Sequence, residues 1–157
     1  MQKYRLSLAQ AEQMDARMTQ TAAAEGLDFN LEGTATGNTL DAHQLVHLAG
    51  DLGLQDEVLE RLYRAYFTEQ RSIFDRELLV DLAADAGIDR EQAAATLRDN
   101  RYAEAVAADI ESARRLGATG VPLFVVAERY GISGAQAPEA FLEVLQRAGS
   151  DYQSVGL

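Results

Sequence analysis

The chain has 157 residues, 47% of them hydrophobic, and no cysteine, which suits one globular domain with a sizeable core. Its net charge of −11 argues against nucleic acid and against anionic membrane surfaces, since both partners need clustered Lys and Arg. Without a thiol, the chain by itself can form no disulfide, thiolate metal site or sulfur nucleophile.

The N-terminal stretch MQKYRLSLAQAEQMD lacks the apolar region of a signal peptide. No run approaches transmembrane length, so the expectation is a cytoplasmic protein. Residues 7–25 read as a helix opened by Ser7 or Leu8 and stopped by Gly26 as a C′ glycine. Leu8, Ala11, Met14, Met18 and Ala22 recur at helical spacing and predict one buried face. Leu27 to Leu31 alternates apolar and polar residues, as a short strand or an extended connection does. Residues 32–37 are loop by their Gly and Thr content.

Asn38 or Thr39 caps a second helix, with Asp41 in its first turn, where a carboxylate meets the positive end of the helix dipole. Leu45, Leu48, Ala49 and Leu52 form its predicted core face, and Gly53 ends it. A third helix runs from about Asp56 to Gln70, with Val58, Leu59, Leu62, Tyr63, Tyr66 and Phe67 in one broad apolar stripe. Asp75 caps a fourth helix ending before Gly87, and Asp89 a fifth, with Gln92 at the capping-box position. After a break near Asn100, a sixth helix runs from Ala103 to Leu116 and stops at Gly117. Short capped helices of this kind predict a compact helical subdomain.

The pattern then changes. Gly117-Ala118-Thr119-Gly120 is a flexible approach to Val121-Pro122, a dipeptide that cannot be helical at the valine. Leu123 to Ala127 reads as a strand apolar on both faces, hence as a central strand. Glu128-Arg129 is the predicted turn and Tyr130 to Ser133 a second strand. A last helix has Pro138 at N1, a buried face of Phe141, Leu142 and Leu145, and its end at Gly149. The residues beyond are expected to be a loose tail. A sheet of two strands cannot supply a central strand with neighbours on both edges, so the chain reads as part of a larger α/β design.

Together, Gly120-Val121-Pro122-Leu123-Phe124-Val125-Val126, Tyr130-Gly131-Ile132-Ser133-Gly134-Ala135-Gln136 and Pro138-Glu139 resemble the C-terminal part of DsbA-like thioredoxin-fold proteins, and the FrnE-like branch in particular. Asn38-Thr39-Leu40-Asp41-Ala42-His43 and Ala65-Tyr66-Phe67-Thr68-Glu69 resemble that branch's helical insertion. The resemblance runs from about Tyr4 to Ala148. It implies an α/β, thioredoxin-like fold of DsbA type in incomplete form: mostly helical, with a C-terminal β-hairpin and helix. Within one partial domain over 1–157, about 7–116 is the helical insertion and about 117–149 the β-β-α part.

The resemblance further implies that Pro122 is a cis-proline facing an active site, although X-Pro base rates favour trans. Thr119, Val121 and Pro122 become substrate-binding residues, with the Val121 backbone pairing to an extended peptide or to glutathione by strand addition. His43 becomes an active-site neighbour at the junction of insertion and thioredoxin core. The family's initial strand and C-x-x-C helix have no counterpart here. No catalytic residue is therefore assigned within the chain, and the expectation is a C-terminal portion of a thiol–disulfide oxidoreductase or isomerase, redox-inactive alone. A shortened chain is favoured over a natural loss, because the strand at 123–127 is built for further neighbours. Two alternatives stand beside it: a glutathione-dependent isomerase of the 2-hydroxychromene-2-carboxylate isomerase type, and a non-catalytic binding module, monomeric or homodimeric.

Other candidates are weaker. His43 and His47 are four apart on one helix, a metal-ligand spacing, but no third ligand is evident and no metal or other cofactor is expected. The carboxylates mark helix first turns and solvated faces, and Ser7, Ser72 and Ser133 have no nucleophile motif around them. Tyr63, Tyr66, Phe67 and Phe74 offer the lining of a groove between the helical and thioredoxin parts. Plain helix core is the preferred reading for the first three, which share the third helix's stripe.

Overall fold

The structure is a computed structural model that describes residues 7–155; the start of the resemblance, at Tyr4, lies outside them. Its elements are α1 (Leu8–Ala24), α2 (Leu40–Leu52), α3 (Gln55–Tyr63), a π-helical turn (Arg64–Thr68), α4 (Arg76–Asp85), α5 (Arg90–Arg98), α6 (Ala103–Arg115), β1 (Leu123–Val126), β2 (Tyr130–Ser133) and α7 (Pro138–Val155). This mostly helical chain with one antiparallel two-stranded sheet matches the architecture expected from the sequence. The chain divides into two compact units, one ending at Ala107 and the other beginning at Ala108.

In the first unit, local chemistry sets the helix ends. Ser7 and Gln10 form a reciprocal capping box at the start of α1. The Asp75 carboxylate accepts from Leu78 N–H, and that of Asp89 from Gln92 N–H. Asn38 Oδ1 accepts the Leu40 amide at 3.0 Å, while the Thr39 side chain makes no capping bond. Gly53 closes α2 with φ +70, a conformation that costs glycine nothing.

The core of this unit joins α2, α3, α4 and α5 through Leu45, Leu48, Ala49, Val58, Leu62, Leu79, Leu82 and Leu97, all buried. Gly37 lies flat against the Phe74 ring: a Cβ there would sit 2.5 Å from Phe74 Cγ and 2.8 Å from Cδ2. Gly37→Ala is therefore expected to lower stability by about 1–3 kcal/mol, measured by urea unfolding. An unchanged midpoint would show that the ring moves aside freely.

Several expected core faces are not covered. Met14 and Met18 on α1 are more than half exposed, and that helix buries Ala22 near its end. Leu52 is also exposed, because the turn at Gly53 carries the chain away past it. Leu27 to Leu31 is an extended connection, not a strand; its amides bond helix atoms instead of a second strand. The third helix changes at Tyr63 into a π-helical turn, closed by Glu69 N–H to Arg64 O at 3.0 Å. The expected stripe is not uniformly buried: Tyr63 is 55% exposed while Ala65 is buried.

In the second unit, β1 and β2 pair in the register Leu123↔Ser133, Phe124↔Ile132, Val125↔Gly131 and Val126↔Tyr130. The turn between them places Ala127 and Glu128 at φ +52 and +56, where Asn-Gly would be the unstrained choice. The Phe124 and Phe141 rings meet edge to face at 4.9 Å, and Ile132 is buried. Leu142 and Leu145 are each 55% exposed and do not form the expected buried face.

Gly149 does not end α7. The helix continues to Val155, so 150–155 is not a loose tail. One internal glycine costs about 1 kcal/mol relative to alanine. The extension places Asp151 where it accepts a hydrogen bond from Tyr130 Oη and pairs with Arg129 at 3.5 Å. The Arg147 guanidinium lies 5.3 Å from the Tyr130 ring centroid. These contacts reward the extra turns. No helix among the described residues is long and apolar enough to cross a membrane.

Candidate functional site

The approach to β1 gives the most exposed of the sequence-predicted site residues. The Val121–Pro122 peptide bond is cis. Thr119, Val121 and Pro122 are all exposed, Val121 at 93% of its surface. A large aliphatic side chain this open contributes almost nothing to the core.

The sheet geometry fixes which way the main chain points. Gly134 N–H donates to Pro122 O at 2.8 Å. Hydrogen-bonded pairs alternate along an antiparallel ladder. The 124/132 and 126/130 pairs then share the bonded phase, and the N–H and C=O of Leu123 and Val125 point away from β2. Among the described residues β1 has one strand neighbour, so this second edge is open. Phe124 and Val125 are 41% and 38% exposed, whereas a central strand was expected to be buried on both faces.

His43 belongs to the first unit, where it is exposed in the first turn of α2. His47, one turn further, is half-buried and its ring stacks on Tyr102 at 5.9 Å and 10°. The two histidines thus have different surroundings despite their spacing. No group of three or more His, Cys, Asp or Glu side chains that could hold a metal occurs among the described residues.

Near His43, a polar network ties together the N-termini of α2 and α4 and the bend before α6. Arg76 Nε donates to Asp41 Oδ2 at 2.7 Å, and Arg76 Nη2 to Asp41 Oδ1 and Asn100 Oδ1 at 3.1 and 3.2 Å. This pairing raises the already high Arg76 pKa, chiefly through the hydrogen bond to Asp41. Buried Gln44 donates to Asp41 Oδ1 and accepts from Tyr102 N–H. The network borders a cleft of about 350 Å³, with Leu40, Phe74 and Val106 as its apolar lining. Tyr102 Oη donates to Asp51 Oδ2 at 2.5 Å, and that bond, ahead of burial, raises the phenol's pKa.

A second concavity, of about 460 Å³, lies beside the π-helical turn, lined by Leu27, Phe29, Tyr63 and Phe67 together with Asp28, Glu60, Arg64 and Thr68. Phe29 and Phe67 stack at 4.7 Å and 13°. Of the four aromatics that the sequence offered as a groove lining, Tyr63 and Phe67 line this one. Tyr66 packs edge-on to Phe67 and Phe74, and Phe74 lines the polar cleft. Leu27 and Phe29 escape a sequence reading because a short alternating stretch resembles any connection. The signal that finds them is the hydrogen bonding of 28–32 to the end of the π-helical turn.

A model described as "DSBA-like thioredoxin domain" matches residues 1–146. Among solved structures, a probable DsbA oxidoreductase from Streptomyces coelicolor superimposes with a TM-score of 0.86 at 43% sequence identity, over 94% of this chain and 64% of that one. The chain thus spans just under two thirds of the length of this relative. No curated protein matches the chain.

Proposed function

We infer that this chain, which belongs to the DSBA-like thioredoxin domain family, is the substrate-holding portion of a thiol–disulfide oxidoreductase or isomerase of the FrnE-like branch. The observation that carries the reading is the exposed approach to β1, where Thr119, Val121 and Pro122 lie open, in a chain 43% identical to a probable DsbA oxidoreductase. An extended client adds as a strand at the approach to β1 and pairs with the Val121 backbone beside Pro122, leaving the outward main-chain groups of Leu123 and Val125 to a sheet neighbour. Affinity from the main chain places few demands on client sequence. His43 is assigned the role of an active-site neighbour.

The chemistry needs sulfur. A thiolate attacks the client disulfide, a mixed disulfide forms and one client thiolate leaves. A second thiol then resolves the mixed disulfide, so that two protein thiols are oxidised as the client disulfide is reduced. The 157 residues contain no cysteine, so both sulfurs come from outside them. What these residues contribute is alignment: holding the client strand fixed converts a bimolecular encounter into an intramolecular one.

The test is insulin reduction in the presence of dithiothreitol. The chain alone is expected to run at the no-enzyme rate. Joined to the part of the Streptomyces relative that it does not match, it is expected to accelerate reduction beyond that part alone. Equal rates with and without this chain would overturn the reading.

A further inference from the structure

The groove beside the π-helical turn serves neither the core nor the edge of β1, yet the sequence invests heavily in building it. Three side-chain and main-chain bonds fasten its extended wall to the helix: Asn30 N–H to Phe67 O at 2.6 Å, Thr68 Oγ1 to Asp28 O at 2.7 Å and Gln70 Nε2 to Glu32 O at 2.7 Å. Gln70 takes φ +53, an uncommon conformation for a residue with a Cβ, and from there its amide reaches Glu32. The π-helical turn itself is a costly local form, most often kept where it serves a site.

The result is an aromatic trough. Among its lining residues Phe29 and Phe67 stack face to face, Tyr63 leans against Phe67 with centroids 6.1 Å apart, and Leu27 adds an aliphatic side chain. Leu27 and Tyr63 are each more than half exposed, so large apolar groups gather at one place on the surface. A gathering of this kind marks an interaction site more often than isolated exposed residues do. Its volume lies within the range of ligand-sized pockets.

Charge selects the occupant. Asp28 and Glu60 are among the lining residues. Arg64 stands there too, but it pairs with Glu60 at 3.8 Å, with both side chains largely exposed. Those two charges nearly cancel, and the Asp28 carboxylate is left to set the sign. The chain as a whole carries −11, which favours approach of cations. Aromatic faces attract guanidinium and ammonium groups through the ring quadrupole. We propose that this trough is a docking site for an extended polypeptide segment in which an arginine or lysine adjoins an apolar residue, the cation lying over Tyr63 and Phe67 toward Asp28 and the apolar side chain packing on Leu27 and Phe29. The trough is built from residues of the first unit alone.

The probe is a short fluorescein-labelled peptide alternating arginine, leucine and serine, with a counterpart in which glutamate replaces arginine. Anisotropy titration of the full chain is expected to show binding of the arginine peptide, weakened by added salt, and little binding of the glutamate peptide. Amide shifts in the isotope-labelled chain should concentrate at Leu27–Phe29 and Tyr63–Thr68. Tyr63→Ala should weaken binding about ten-fold and Tyr63→Phe much less; because Tyr63 is half exposed, both variants should remain folded by circular dichroism. Asp28→Asn should reduce the salt dependence. Absent or equal binding of the two peptides, or shifts confined elsewhere, would overturn the proposal. Tyr63-dependent self-association without peptide, seen by sedimentation, would instead give the trough to a second copy of the chain.

Discussion

Leu48→Ala is expected to destabilise the helical unit by about 2–5 kcal/mol. Leu48 is 1% exposed and sits among Leu45, Ala49, Val58, Leu79, Leu82 and Leu97. Removing it loses the transfer free energy of its methyl and methylene groups, and a cavity remains because four helices meet there and cannot collapse together. Domains of this size hold only about 5–15 kcal/mol in total, so such a loss is a large share. Native-state hydrogen exchange reads it directly, as faster exchange of the α2, α4 and α5 amides by the same free energy. Leu142→Ala is the control. That leucine has the same chemistry, but its side chain is 55% exposed, and its truncation should cost less than about 1 kcal/mol. Comparable losses at the two sites would mean that burial does not decide stability here.

The contrast between these leucines also explains how much of the fold could be read from residues alone. Helix ends were legible because their chemistry is local. Asp75 and Asp89 lie three residues from the amides they bond, and Gly53 and Gly117 adopt positive φ within their own turns. The faces of the helices were not all legible, because an apolar stripe records that a surface is suited to burial and not what covers it. Met14, Met18, Leu142 and Leu145 carry that suitability without cover in their own unit.

Gly149 misled for a related reason. A glycine normally ends a helix, but Asp151 with Tyr130 and Arg129 outweighs its propensity, and those partners lie about twenty residues away in sequence. The π-helical turn left no trace in periodicity. Its signature is the distant pairing of Phe67 with Asn30, and of Gln70 with Glu32. The approach to β1 was legible because Val-Pro restricts its own backbone, whereas the polar network joining Asp41, Arg76 and Asn100 spans residues too far apart for any local pattern.

Val121→Asp should separate holding a client from holding the fold. With 93% of its surface exposed, Val121 contributes little burial, so the substitution should change stability by no more than about 0.5 kcal/mol. Its effect on an added strand is different. A charge at a strand edge is among the devices by which proteins prevent pairing, and aspartate disfavours extended ladders. In the chain joined to the part of the Streptomyces relative that it does not match, kcat/KM for insulin is expected to fall about ten-fold or more, equivalent to roughly 1.4 kcal/mol of transition-state stabilisation. A low-mass disulfide such as hydroxyethyl disulfide has no strand to add, and its rate should stay the same. The pair of substrates carries the argument. If both rates fall together, the aspartate is acting on the sulfur chemistry, and if neither falls, clients are not held at Val121. A fall confined to insulin, with the thermal midpoint unchanged, assigns the Val121–Pro122 approach to client binding.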